Sequence, residues 1–310
     1  MKHVSFHLKP LPPYDFSLTA GAATYFQNRY GVDIFEGGVY RRLLEREGRL
    51  GLVSVSSIGD VESPCLKVRV IGWETERHAS SYAAEQVAWL LGTDQDLTPF
   101  YHLSQGDPIL GPLVEAMPGL HIPRTGSVYE GLILAILGQQ ISANAARVMR
   151  RLLIEKYGPA FEIDGVTYRG FPRPEDLAGA GVEGLCTQKL SARKAQYIWG
   201  ISEAVAASRL DLEGLKNDSD ELVMKKLLEI RGVGLWTVHW LLVRSLGRQD
   251  GFPHSDLALC RILGQILRRG SPLSPHETLE YSRRWSPYRS CVTTYLFAAM
   301  RSGHFYRSTH

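Results

Sequence analysis

Apolar residues recur at two different periods along this chain, and the change falls near residue 100. Before it the spacing is short and alternating. LGLVSVSSI (50–58) and CLKVRVIGW (65–73) are rich in β-branched residues, which predicts paired strands. GDVESP (59–64) between them is turn chemistry. GGVYRRLLE (37–45) predicts a strand that precedes both. SSYAAEQVAWLL (80–91) then takes up helical spacing behind a serine start.

Beyond residue 100 the helical period dominates. Residues 127–158 predict two helices around GQQIS, and residues 192–208 predict another. SDELVMKKLLEI (219–230) begins with the cap candidate Ser219 and sets apolar Leu222, Leu227 and Ile230 on a helix. LWTVHWLLVRSL (235–246) continues it across a short turn. Ser255 predicts a cap for a helix from about Asp256 to Arg268, and residues 286–303 predict a last helix ending at Gly303. No strand pattern of comparable strength follows residue 125. The patterns predict an α+β chain, with a sheet domain over 1–100 and a helical domain over 101–310.

Composition narrows the class. The chain has 310 residues, 44% hydrophobic and 22% charged, which is enough apolar content for packed cores. The net charge of +3 names no partner. Its distribution says more: residues 1–100 carry 10 basic and 12 acidic side chains, and residues 219–310 carry 13 and 7. A basic C-terminal third suits a polyanion. The longest apolar stretch, 131–146, is too short to span a bilayer and contains Gln139, Gln140, Ser142 and Asn144. The N-terminus lacks the apolar core of a signal peptide. Cys65, Cys186, Cys260 and Cys291 are too far apart in sequence for a CxxC pair, so neither a zinc ribbon nor a disulfide scaffold is expected. These features predict a cytoplasmic protein with no membrane partner.

The element at 219–246 carries candidate chemistry. Two helices meet at Arg231-Gly232-Val233-Gly234. Two glycines allow positive φ and close approach of another backbone. The second helix opens with unpaired N–H groups and a positive dipole end. Gly232 and Gly234 would then cradle one phosphate, with Thr237 adding a hydroxyl. The same spacing also serves an ordinary αα-hairpin whose glycines only make the turn.

LLEIRGVGLWTV (227–238) resembles the helix-hairpin-helix of the HhH-GPD DNA glycosylases. The loop GRQDGFPHSD that follows places Asp256 twenty residues past Trp236, as in that family's loop and essential aspartate. PPYDFS (12–17), AILGQQIS (135–142) and RWSPYRS (284–290) resemble the AlkA-type 3-methyladenine DNA glycosylase II branch, over nearly the whole chain. The resemblance implies an N-terminal antiparallel sheet domain like that of the TATA-binding protein. It also implies an all-α core of two helical subdomains with a cleft between them.

The same resemblance implies a site. Asp256 would be the catalytic carboxylate, stabilising positive charge on the sugar as the N-glycosidic bond breaks; taken alone it would be a first-turn acid behind Ser255. Trp236 stands where glycosylases that also cut the strand carry a Schiff-base lysine, so a base-removing enzyme without lyase activity is expected. Trp236 itself is pocket wall or core. Trp240 and Phe297 fall at aromatic pocket positions, offering cation–π contact to an alkylated base, with core burial as the alternative for each. Ala22 falls where the pattern is aromatic, which would widen the pocket. Gln140 would fill the gap left by the flipped base, or else be an exposed helix-end residue. The backbone carbonyls of Leu228, Ile230 and Val233 would hold a Na+ or K+ ion, and no other cofactor is expected. The partner would be duplex DNA with alkylated bases, bound by a monomer. Two other functions remain open on the sequence: a glycosylase for oxidised or deaminated purines, and a non-catalytic DNA-damage binder.

Overall fold

The computed structural model describes residues 3–73, 78–268 and 270–303. Strands β1 (Val4–Leu8), β2 (Arg29–Tyr30), β3 (Asp33–Glu36), β4 (Val39–Arg46), β5 (Arg49–Ser57) and β6 (Leu66–Ile71) form one sheet. Their order is β1-β6-β5-β4-β3-β2, and every pairing is antiparallel. Alternation does the sorting: in β6, Leu66, Val68 and Val70 turn inward while Lys67 and Arg69 face water. Helix α1 (Phe16–Ala23) follows β1, and α2 (Ala79–Leu91) covers the sheet. Ala83, Val87, Leu90 and Leu91 of α2 pack in one core with Val53, Val55, Val68, Val70 and Trp73.

The rest is helical: α3 (Thr98–Ser104), α4 (Leu110–Ala116), α5 (Val128–Gly138), α6 (Ala143–Tyr157), α7 (Pro174–Cys186), α8 (Ala192–Ala206), α9 (Asp220–Leu228), α10 (Leu235–Arg244), α11 (Leu257–Arg268), α12 (Pro275–Ser282) and α13 (Arg289–Ser302). They bury two separate clusters. Leu132, Ile136, Leu153, Ile198, Leu227 and Leu241 belong to one. Phe100, Leu110, Leu263, Trp285, Tyr295 and Leu296 belong to the other. The expected sheet domain and two helical subdomains are therefore all present. Among the described residues no helix is long and apolar enough to cross a membrane.

Buried charge ties the sheet to the helices. Arg42 on β4 is 4% exposed. Its guanidinium bonds Asp33 on β3 at 2.8 Å and Glu130 on α5. Burial works against the Arg42 charge, but the two carboxylates outweigh it and hold the guanidinium above its usual range. Removing one partner of such a set typically costs about 3–5 kcal/mol. This linkage fixes β3 and β4 against α5.

Several expectations are corrected. A hairpin of β7 (Ala160–Ile163) and β8 (Val166–Arg169) lies within the helical part. Leu222 is 40% exposed, and α9 instead buries Val223 and Leu227. Helix α2 begins after His78 in the left-handed region, with no serine side-chain cap. Ser255 does not cap α11: Asp256 accepts from the Ala258 and Leu259 amides at 2.9 and 3.2 Å and caps the helix itself.

Candidate active site

Asp256 stands where three donors converge. Oδ1 takes the two cap bonds of α11, and Oδ2 accepts from Trp236 Nε1 at 2.8 Å. Trp236 lies in the first turn of α10, just past the hairpin. The starts of two helices, one from each helical subdomain, thus fix one carboxylate in position. That carboxylate lines a cavity of about 590 Å³ between the subdomains.

Trp236, Trp240, Phe297 and Ala22 line the same cavity. Helix α10 supplies the two tryptophans and α13 supplies Phe297. Helix α1, capped by Asp15 at the Leu18 amide, supplies Ala22, which is 6% exposed. Trp236 is thus both cavity wall and the partner that orients Asp256.

Sequence reasoning missed the other polar half of this cavity. Tyr25, Tyr30, Arg150, Arg244 and Arg301 also line it. Tyr25 and Tyr30 stack with centroids 3.9 Å apart and planes 26° from parallel. The Arg301 guanidinium sits 4.1 Å from the Tyr25 ring and 4.8 Å from the Phe297 ring. Arg244 lies 5.3 Å from Tyr25, and Arg150 lies 4.2 Å over Tyr30. A face of Phe297 expected to receive a cationic base is thus covered by the protein's own cation. Burial pushes the Tyr25 phenol up, but Arg244 and Arg301 outweigh it, so it lies below the ordinary phenol range. Burial and the Tyr25 charge raise Tyr30. Tyr25 and Phe26 are both at positive φ, 56° and 57°, a conformation that non-glycine residues hold only under constraint. No local sequence pattern links these residues, which come from α1's exit turn, β2, α6, α10 and α13.

The hairpin glycines have different reasons. Gly232 has φ +95°, and a Cβ there would lie 2.4 Å from the Tyr197 ring. Gly234 has negative φ and nothing within 4 Å of a built Cβ. The protein's own packing leaves room for a side chain at 234. Thr237 does not present its hydroxyl there as expected. It is 1% exposed and accepts from Gln139 Nε2 at 3.1 Å, while the same amide donates to the Gly232 carbonyl at 3.0 Å. Gln139, unrecognised in the sequence, thus clamps the hairpin. Gln140 is exposed at φ +54°, in the turn whose neighbours Gly138 and Ile141 line the cavity. The Ile230 carbonyl accepts from the Val233 amide at 3.0 Å, in the turn that carries all three expected cation ligands, Leu228, Ile230 and Val233.

Residues 133–287 match the family described as HhH-GPD superfamily base excision DNA repair protein, and residues 5–127 match the AlkA N-terminal domain. A DNA-3-methyladenine glycosylase of Bacillus subtilis is 31% identical over 207 residues, covering 67% of this chain and 68% of that protein. A probable bifunctional transcriptional activator/DNA repair enzyme AlkA of Mycobacterium tuberculosis is 30% identical over 303 residues. That match covers 96% of this chain and 57% of the longer relative. The structure of a 3-methyladenine DNA-glycosylase from Archaeoglobus fulgidus superposes with a TM-score of 0.83 at 25% identity, covering 96% of this chain and 98% of the other.

Proposed function

The chain belongs to the HhH-GPD superfamily of base excision DNA repair proteins, and from that premise we propose that it removes alkylated bases from duplex DNA by hydrolysing the N-glycosidic bond. The observation that carries this reading is the carboxylate of Asp256, held by three donors in the wall of a base-sized cavity. A base must leave the stack to reach it. Its flat faces would pack against Trp236 and Trp240. As the bond lengthens, positive charge grows on the sugar, and a fixed carboxylate stabilises it without reorganising. Water then completes the hydrolysis.

The strand stays intact in this reading. Among the residues lining the cavity there is no lysine, and position 236 holds tryptophan. Lys226 is paired with Asp218 at 2.7 Å on α9, and Lys194 donates to the Leu137 carbonyl at 2.8 Å. Among the described residues that line the cavity, none carries an amine that could form an imine with the sugar, which supports this reading.

Binding would use the hairpin. The open space at Gly234 suits one phosphate against the N-terminus of α10, a contact that positions without reading sequence. The carbonyls of Leu228, Ile230 and Val233 would hold a Na+ or K+ ion, which would add positive charge to the hairpin. Gln140, exposed in its turn, would enter the gap left by the flipped base.

The test is incubation with methylated duplex DNA, followed by chromatography of the released bases and borohydride trapping. Free 3-methyladenine and 7-methylguanine, an intact abasic strand and no trapped complex are expected. Release of oxidised purines alone, or robust trapping, would reverse the reading.

A further inference from the structure

The cavity holds a second titratable group, Tyr25. Tyr25 is stacked on one side by Tyr30 and approached by Arg301 at 4.1 Å, so its ring offers little face to a base. Its hydroxyl edge remains. Arg150 Nη1 donates to the Tyr30 hydroxyl at 2.9 Å, and the Tyr30 ring stacks on Tyr25. A guanidinium cannot accept, so Tyr30 takes the Arg150 hydrogen on its oxygen. Tyr25 lines the cavity shared with Asp256.

Resting on the glycosylase reading, we propose that Tyr25 is the general acid for neutral damaged bases, giving its phenolic proton to a ring nitrogen of the leaving base. Alkylated purines such as 7-methylguanine already carry the positive charge that makes them leave. A neutral base, such as the deaminated purine hypoxanthine, leaves as an anion unless it is protonated. The C1′–N bond breaks with its electron pair going to the base, and the Tyr25 proton neutralises that pair. Water adds to C1′ and loses a proton to solvent. The phenolate is reprotonated from solvent, which closes the cycle.

The surroundings suit a transient phenolate. Arg244 from α10 and Arg301 from α13 face Tyr25 directly, Arg150 from α6 acts through Tyr30 on β2, and Asp256 is the carboxylate across the cavity. Burial opposes the anion, and the guanidiniums more than offset it. The positive φ values at Tyr25 and Phe26 show that the turn after α1 is held in a constrained shape that delivers this side chain. The arginines also explain how a pocket for alkylated bases tolerates its own cations: they serve the acid rather than the base.

The test compares single-turnover release of hypoxanthine and 7-methylguanine from otherwise identical duplexes, with the whole protein and its Tyr25→Phe variant. Positioned general acids contribute about 10²–10⁴ in rate. Tyr25→Phe is expected to shift the ratio of the two rates at least about 10²-fold against hypoxanthine. Affinity for an abasic duplex checks that the variant is folded. Hypoxanthine release should fall on an alkaline limb that Tyr25→Phe abolishes and that Arg301→Gln moves to higher pH. Equal slowing of both bases, an unchanged ratio, or a wild-type protein that releases 7-methylguanine but no hypoxanthine would overturn the proposal. Release of neither base would overturn the glycosylase reading and the proposal with it.

Discussion

Asp256→Asn is usually chosen as a silent change of charge, but here it should cost stability, and a second substitution should reveal why. Asparagine caps helices about as well as aspartate, so the Ala258 and Leu259 bonds survive if its oxygen takes the place of Oδ1. Its NH2 group then faces Trp236 Nε1–H across the 2.8 Å now spanned by a hydrogen bond. Flipping the amide sacrifices two bonds instead of one. The lost bond is to a charged group, worth about 1.5–3 kcal/mol. A value near 2 kcal/mol lowers the thermal midpoint of a chain this size by roughly 3 °C. Trp236→Phe loses the same bond and should cost about as much. The double variant has no bond left to lose, so its cost should be about 2 kcal/mol rather than about 4, a coupling well beyond the usual scatter of independent sites. Calorimetry of the four proteins measures the cycle. Additive losses would show that the Trp236–Asp256 contact carries no energy and that the carboxylate is not oriented by it.

Four other outcomes follow from the structure. Gly234→Asp should fold normally, since nothing lies within 4 Å of its Cβ, yet bind damaged and undamaged duplex more weakly in a filter or anisotropy assay. Gly232→Ala should instead lose stability, because φ is +95° and the Tyr197 ring is 2.4 Å away; the reverse pattern would relocate the phosphate. Ala22→Phe should narrow release toward small adducts such as 3-methyladenine and against ethenoadenine, and an unchanged product panel would remove Ala22 from the base's path. Burial, then His254 and Arg289, pull His239 down to about 4 from 6.5. As pH falls the unfolded chain takes up that proton first, so stability complete above 6.5 drains away toward 4. His239→Gln should flatten the thermal midpoint between pH 6.5 and 5, and equal slopes would assign the loss to other groups.

The elements that announced themselves are the ones with a sustained period. β6, α5, α9 and α10 follow directly from their apolar spacing because each buries one regular face or, for α5, nearly all of itself. The β7–β8 hairpin was hidden by strands of four residues each, although Asp164-Gly165 between them, both at positive φ, is a strong turn signal. Ser255 and Asp256 are equally good caps in composition, and only the geometry shows which side chain reaches the amides. The cavity is harder still. Ala22, Trp236, Asp256 and Phe297 meet from four separate elements, and only resemblance to a family assembled them in advance. The arginines around Tyr25 belong to no motif, because their arrangement is a property of packing between distant segments.

The most direct measurement is single-turnover release of 3-methyladenine from a methylated duplex by the wild-type protein and by the Asp256→Asn/Trp236→Phe double variant. Each protein is assayed below its own unfolding temperature and at a concentration that saturates the DNA. Wild type should release the free base and leave an unbroken abasic strand. The double variant should still bind that duplex but release the base at least about 10²–10³-fold more slowly, the usual loss for one well-placed electrostatic group. Base release by the double variant at the wild-type rate would contradict the account, because the carboxylate in the cavity wall would then have no part in breaking the bond.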